Sequence, residues 1–331
     1  MKATKRCTHT KGNDMDLGAW TNHIALDEML SWGYPLPPKL AVELEDYRAS
    51  PEESRPLSRK AFSRLWSLTV EYAKESVSND GYVLPAHNYE RHFKPTVRYG
   101  LRLFDAQFGS EATTTYGAMR QATALGLLLH DCHHTGSALR QDHITPLHLP
   151  ELGVKIAVEE VSAIAADDFL RQQGVPAPWR LFIVGLIWAS TFGHAQALKR
   201  SDHEEDVFVP IAVHPKTFYH MLMRTADSQP LLSLGDTLRY ATHVLLGEMP
   251  AIGHRVNDSD QFISCQQAYL EYVGNLHDEL DLQAGWQISQ ATGMRTAADT
   301  QRQQLSTIAN GEDEGGSLFI KGLLQSYPAY S

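Results

Sequence analysis

Cysteine is scarce in this chain: Cys7, Cys132 and Cys265 are the only three in 331 residues, and they lie far apart. That spacing builds no disulfide framework and makes a reducing compartment the expectation. Long apolar runs are also missing. The longest, Leu181 to Ala189, falls well short of the roughly 20 residues that a membrane-crossing helix needs. The N-terminal residues are polar and carry no apolar signal core. Together these absences predict a soluble cytoplasmic protein with no membrane partner. Basic excess is lacking as well. Lys and Arg number 29 against 39 Asp and Glu, for a formal charge of -10. Such a surface suits non-specific nucleic-acid binding poorly, because that needs a basic footprint. An anionic substrate would have to be met by local cations, and bound metal is one source of them.

What is present points to a folded helical domain. The chain is 43% hydrophobic and 21% charged, enough for a large core and against global disorder. Its length allows one large domain or two ordinary ones. From Ser58 to Val77, Phe62, Leu65, Trp66, Leu68 and Tyr72 recur at helical spacing, and Asn79-Asp80-Gly81 then marks a turn. Thr96 to Phe104, Thr113 to His130 and Val154 to Gln173 carry helical patterns, the last stopped by Gly174-Val175-Pro176. Trp179 to Thr191 is nearly all apolar; a central helix or two short strands would both fit, and its helical neighbours favour helix. Further helices are predicted over Lys216 to Ala226, Leu231 to Leu246, Gln261 to Leu282 and Gly285 to Gln304. No strand pattern, internal repeat or long linker stands out. The expected fold is a compact all-α, multi-helix single domain over residues 19–308. Residues 1–18 form a mobile polar segment in this reading, and 309–331 a partly disordered tail led by the Gly- and acid-rich stretch from Asn310 to Gly316.

The chemistry-bearing residues fall in four stretches. His130-Asp131-Cys132-His133-His134-Thr135-Gly136 closes the apolar run from Ala122 to Leu129. An adjacent His-Asp pair brings an imidazole and a carboxylate to one point, a donor mix suited to a divalent cation. Pro85-Ala86-His87-Asn88 precedes Arg91-His92, Glu159-Glu160 lies on the next long helix, and Ala226-Asp227-Ser228-Gln229-Pro230 comes much later. A histidine, a His-Asp pair and a distant Asp give two nitrogen and two oxygen ligands. Asp131 could also bridge to a second, harder ion completed mostly by water.

The order H…HD…D resembles the HD superfamily of metal-dependent phosphohydrolases. Within it, His87-Asn88 with Arg91-His92 resembles the HN-x-x-H segment of class I cyclic-nucleotide phosphodiesterases. The His130 to Gly136 run is similar to their HD-x-D-H-x-G, and Ala226 to Pro230 to their AD-x-SNP. Ala189-Ser190-Thr191 with His194 looks like a shortened AT-D…H segment. Cys265-Gln266-Gln267-Ala268-Tyr269-Leu270 resembles SQ-x-x-FI, and Gly247-Glu248-Met249 could fall at the EF segment. The likeness runs over residues 84–280, in the family's order.

The resemblance implies a hydrolase of small phosphodiesters, with a cyclic nucleotide as the suggested substrate and other diesters or activated triesters open to the same chemistry. It implies two divalent ions, zinc or iron at the first site and magnesium or manganese at the second. His92, His130, Asp131 and Asp227 would hold the first, and Asp131 would bridge to the second. His87 would be the general acid, and His134 and Glu160 (or Glu159) would orient waters. Asn88, Gln266 and Tyr269 would face the substrate, Tyr269 as an aromatic wall. The small diester is the expected partner, with no nucleic acid and with a homodimer allowed for.

This chain also departs from the family's pattern. HN-x-x-H has become HN-x-x-x-H, so His87 and His92 stand five apart and would not share a face of a straight helix. A bulge or irregular helix start must absorb the extra residue. In a second registration Pro95, which cannot ligate, takes the metal-histidine position. The inner Asp of HD-x-D-H is His133 here, and Gln229 stands near the Asn of AD-x-SNP. Three rival readings stay open: an HD-type nucleotidase or phosphomonoesterase, a di-iron oxygenase drawing on His143, His148 or His194, and a non-catalytic nucleotide-binding module.

Overall fold

The computed structural model describes residues 36–47, 56–79, 82–83, 86–133, 158–190, 196–199, 209–212, 218–233, 242, 246, 256, 258–267 and 294–326. These residues form an all-α domain. In chain order its helices are α1 (Pro38–Tyr47), α2 (Arg59–Ser76), α3 (Lys94–Phe108), α4 (Gly117–Leu129), α5 (Val158–Gln172), α6 (Ala177–Ala189), α7 (Phe218–Ser233), α8 (Met294–Ala309) and α9 (Glu314–Ser326). A π-helical turn, Tyr89–Phe93, leads into α3, and a 3₁₀ turn, Gly109–Thr113, follows it. Among the described residues, no helix is long and apolar enough to cross a membrane.

The centre of the bundle is α6. Every residue from Ala177 to Ala189 is buried, so the helix must be covered on all sides. The helices α1, α4, α5 and α7 supply that cover. The continuous apolar run that allowed either helix or strands is therefore a core helix, with Pro176 at its N-cap and Pro178 in its first turn, where a missing N–H costs nothing. The one charge in the run, Arg180, is also buried. Its guanidinium donates to Asp167 Oδ1 on α5 at 2.9 Å and to Glu43 on α1, which offsets the cost of taking it out of water.

Two glycines let α3, α6 and α7 crowd around α4. A Cβ on Gly100 would run into the Leu127 side chain and lie 3.2 Å from Ala226 Cβ. A Cβ on Gly126 would meet Leu186 Cδ1 at 2.7 Å. Close approach at these points draws the start of α3, the end of α4 and the middle of α7 to one place. An aromatic group fills the opposite end of the same three helices. Phe104 and Phe108 pack at 4.6 Å between ring centroids, Phe108 and Tyr116 at 4.2 Å, and Phe182 meets Tyr219 edge to face at 5.2 Å.

Helix α2 runs where the sequence pattern predicts a helix, but of the five apolar positions in that pattern only Leu65 is buried, Phe62, Trp66 and Tyr72 are partly buried, and Leu68 is 40% exposed. Ser58 caps the helix by accepting from Ala61 N, and Leu65, Thr69 and Ala73, at four-residue spacing, are its buried face. Two features differ from the sequence reading. Short antiparallel ladders are present, Ser78–Asn79 (β1) with Tyr82–Val83 (β2) and Gln196–Lys199 (β3) with Val209–Ala212 (β4). Segments of two and four residues are too short to show an alternating pattern. The Gly- and acid-rich stretch after Asn310 is a tight turn into α9 and not a disordered tail. Gly311 takes the left-handed conformation at φ +73°, and Asp313 Oδ1 accepts from Gly316 N at 2.9 Å to start the helix.

Candidate metal centre

Four side chains from three parts of the chain converge. His92 comes from the π-helical turn, His130 from the C-cap of α4, Asp131 from the next position, and Asp227 from α7. Each offers one ligand atom, and these atoms all lie within 4.8 Å of one another. His92 Nε2 stands 2.8 Å from Asp131 Oδ2, 3.2 Å from Asp227 Oδ1 and 3.0 Å from His130 Nε2. His130 Nε2 stands 3.1 Å from Asp227 Oδ1 and 3.3 Å from Asp131 Oδ2. His92, His130 and Asp227 are buried, whereas 14% of the Asp131 side chain is exposed, so the group opens to solvent on the Asp131 side.

The donor set fits a divalent cation. His130 Nδ1 lies 3.0 Å from the Leu127 carbonyl oxygen, which can only accept, so Nδ1 carries the proton. In the neutral ring Nε2 then presents a lone pair to two carboxylates and a second imidazole. Four lone-pair donors cannot share one buried point without a cation, either protons or a metal. Protons give one solution. Burial by itself would push the His130 and His92 ring pKa values down. Asp131 and Asp227 outweigh it, raising His92 and holding His130 well above the ordinary histidine range. Asp227 shows the reciprocal effect: burial favours its neutral form, but His130 and His92 hold its carboxyl below the usual range.

His92 sits in the π-helical turn. Phe93 N donates to Asn88 O and Lys94 N to Tyr89 O, five residues back in each case. The wider turn takes up one extra residue. His87 lies before the turn, ahead of the extended cap Asn88, and its ring meets that of His92 across the five-residue separation, centroids 5.2 Å apart and edge to face. His87 is buried beside the four-residue group. Asn88, expected to face substrate, caps the turn: its Oδ1 accepts from Glu90 N and Arg91 N, each at 3.1 Å. Of the two registrations, the one with His92 supplies the converging imidazole. Pro95 sits in the first turn of α3, where its missing N–H is tolerated.

A third carboxylate, outside the group but interacting with it, belongs to Glu159. It is buried on α5, and that burial pushes its carboxyl up to about 7, with Asp131 and Asp227 adding to the rise and His130 opposing it. Glu160 neighbours it on α5, but its side chain lies outside the described residues, as do His134, His143, His148, His194 and Tyr269. Gln266 is buried on the helical stretch 259–267, with Nε2 donating to Thr242 Oγ1 at 3.2 Å. Cys132 does not join the ligands. Its thiol donates to Ser162 O at 3.4 Å, and Ser162 Oγ donates back to Cys132 O at 2.7 Å. His133 turns to Tyr72, with Nε2 3.1 Å from the phenol oxygen. Tyr72 was legible in the sequence only as one apolar position of an amphipathic helix. Comparisons with protein-family models, with curated proteins and with solved structures find no match to this chain.

Proposed function

We propose that this chain is a metal-dependent hydrolase of small phosphodiesters built on an HD-type centre. The observation that carries the reading is the convergence of His92, His130, Asp131 and Asp227 on one buried point. Two neutral imidazoles and two carboxylates would hold a zinc or iron ion there, and Asp131 has a second carboxylate oxygen with which to reach a magnesium or manganese ion. When bound, such metals supply an acidified water and positive charge for the phosphoryl oxygens.

The chain's own residues do the rest. His130 is held in the ligating tautomer by Leu127 O. His87, whose ring meets that of His92, would donate the proton to the departing oxygen. Glu159, buried beside the same centre, would take the water-orienting role that the sequence resemblance assigns to Glu160 or Glu159. Asp131, the partly exposed member of the group, would face the incoming substrate. A cyclic nucleotide is the substrate that the sequence resemblance suggests, and the monoesterase is the rival that shares the same ligands.

Metal analysis combined with three substrates tests this: bis-p-nitrophenyl phosphate, p-nitrophenyl phosphate and cyclic AMP. Hydrolysis of the diesters with bound metal supports the reading. Turnover of the monoester alone favours the nucleotidase. Asp131→Ala should lose both metal and activity, and unchanged turnover would refute the centre.

A further inference from the structure

The loop that leaves α4 is held from behind. His130 and Asp131 face the candidate metal point, and the next two residues face away from it into α2 and α5. Cys132 is tied to Ser162 by two reciprocal hydrogen bonds. His133 takes a left-handed backbone, φ +62°, the only non-glycine to do so among the described residues. A side chain disfavours that conformation, so it persists only where surrounding contacts hold it. The contact here is Tyr72. Its phenol oxygen lies 3.1 Å from His133 Nε2 and donates to Ala165 O at 3.3 Å. The two rings pack edge to face at 5.9 Å, and the Tyr72 ring is itself stacked on Phe169 at 4.3 Å and 13°.

We propose that Tyr72 is a positioning residue for the metal centre, acting through His133 to fix where Asp131 points. The inference rests on the metal-centre reading above. Its logic is geometric. Asp131 is the most exposed of the four ligands and lies on a turn, where a carboxylate is least constrained by its own backbone. Anchoring the chain two residues later, at a strained position, removes the freedom that would let the carboxylate swing out. The phenol is anchored independently by Phe169 and Ala165, so it is a fixed post and not a follower.

The test is calorimetric titration of zinc into the full chain as wild type, Tyr72→Phe, His133→Gly and the double variant, with thermal melting of each. Tyr72→Phe keeps the stacking on Phe169 and removes only the hydroxyl. His133→Gly keeps the left-handed backbone and removes the imidazole. Each single variant should weaken zinc binding about tenfold, the lower end of the range for loss of a group bonded directly to a metal ligand, because Tyr72 and His133 act on Asp131 through the backbone. The double variant should be no weaker than either single one, because both act through one hydrogen bond. A purely structural role would lower the melting temperature and leave zinc affinity of the folded protein unchanged. Zinc affinity within about twofold of wild type in Tyr72→Phe would overturn the proposal; if that variant fails to fold, His133→Gly decides by the same criterion. A wild-type chain that binds no zinc would instead sink the metal reading and this inference with it.

Discussion

His87 and His92 stand five positions apart, yet their rings meet edge to face at 5.2 Å. On a regular helix they would point to different sides. His87 instead lies outside the helix, before the extended N-cap Asn88, while His92 sits in the π-helical turn Tyr89–Phe93. If His87 serves the leaving group, the arrangement has a kinetic signature. His87→Asn should lower kcat by about 10²-fold or more on a diester with an alkoxide leaving group. On bis-p-nitrophenyl phosphate, whose phenolate leaves without help, the loss should be much smaller. Equal losses on both substrates would deny His87 the acid role.

The protonated cluster predicts opposite pH trends for metal binding and for metal-free stability. His92 and His130 have raised pKa values in the folded chain because Asp131 and Asp227 outweigh the effect of burial. Metal must displace those protons, so zinc affinity should tighten as pH rises from 6 to 9. In metal-stripped protein the same shifts stabilise the fold below the unfolded histidine value of about 6.5. That stability is lost as pH rises through the higher folded values. Zinc titrations and denaturant melts across this range would check both slopes.

Asp167 gives a second pH dependence, distant in mechanism from the metal. Burial raises its carboxyl to about 6, against the pull of Arg180. The folded chain thus binds a proton more readily than the unfolded chain between about pH 4 and 6, and stability falls as pH rises through that window. The stability of wild type minus that of Asp167→Asn should fall as pH rises from about 4 to 7. A difference that stays constant or grows would contradict the shift.

Gly100→Ala should destabilise the bundle by about 1–3 kcal/mol, because the added methyl collides with Leu127 and crowds Ala226. The same displacement moves α7, so Asp227 should draw back and metal affinity should fall alongside stability. Denaturant melts with a metal titration would report both, and a variant as stable as wild type would show that α3 and α4 can separate freely.

The helical class was legible because long helices write their period into the sequence. The Ser58 to Val77 pattern predicts a helix and α2 spans Arg59–Ser76, but of its buried residues Leu65, Thr69 and Ala73 the pattern marks only Leu65. The group that could hold a metal was legible through residue type and order: His92, His130, Asp131 and Asp227 were each singled out and all four converge. Local geometry was not. Nothing in Tyr89 to Phe93 announces a π-helical turn, since it depends on packing and not on composition. Glu159 and Glu160 are adjacent and chemically identical, and sequence alone does not show that the Glu159 side chain is buried on α5. Pro38–Tyr47 escaped notice because a short helix of ten residues seldom carries a clear period.

The most direct measurement is anomalous diffraction from crystals of the zinc-loaded chain. The account predicts a metal peak bonded to His92 Nε2, His130 Nε2 and one carboxylate oxygen from each of Asp131 and Asp227. A peak elsewhere, or none with Asp227 turned away from Asp131, would contradict it.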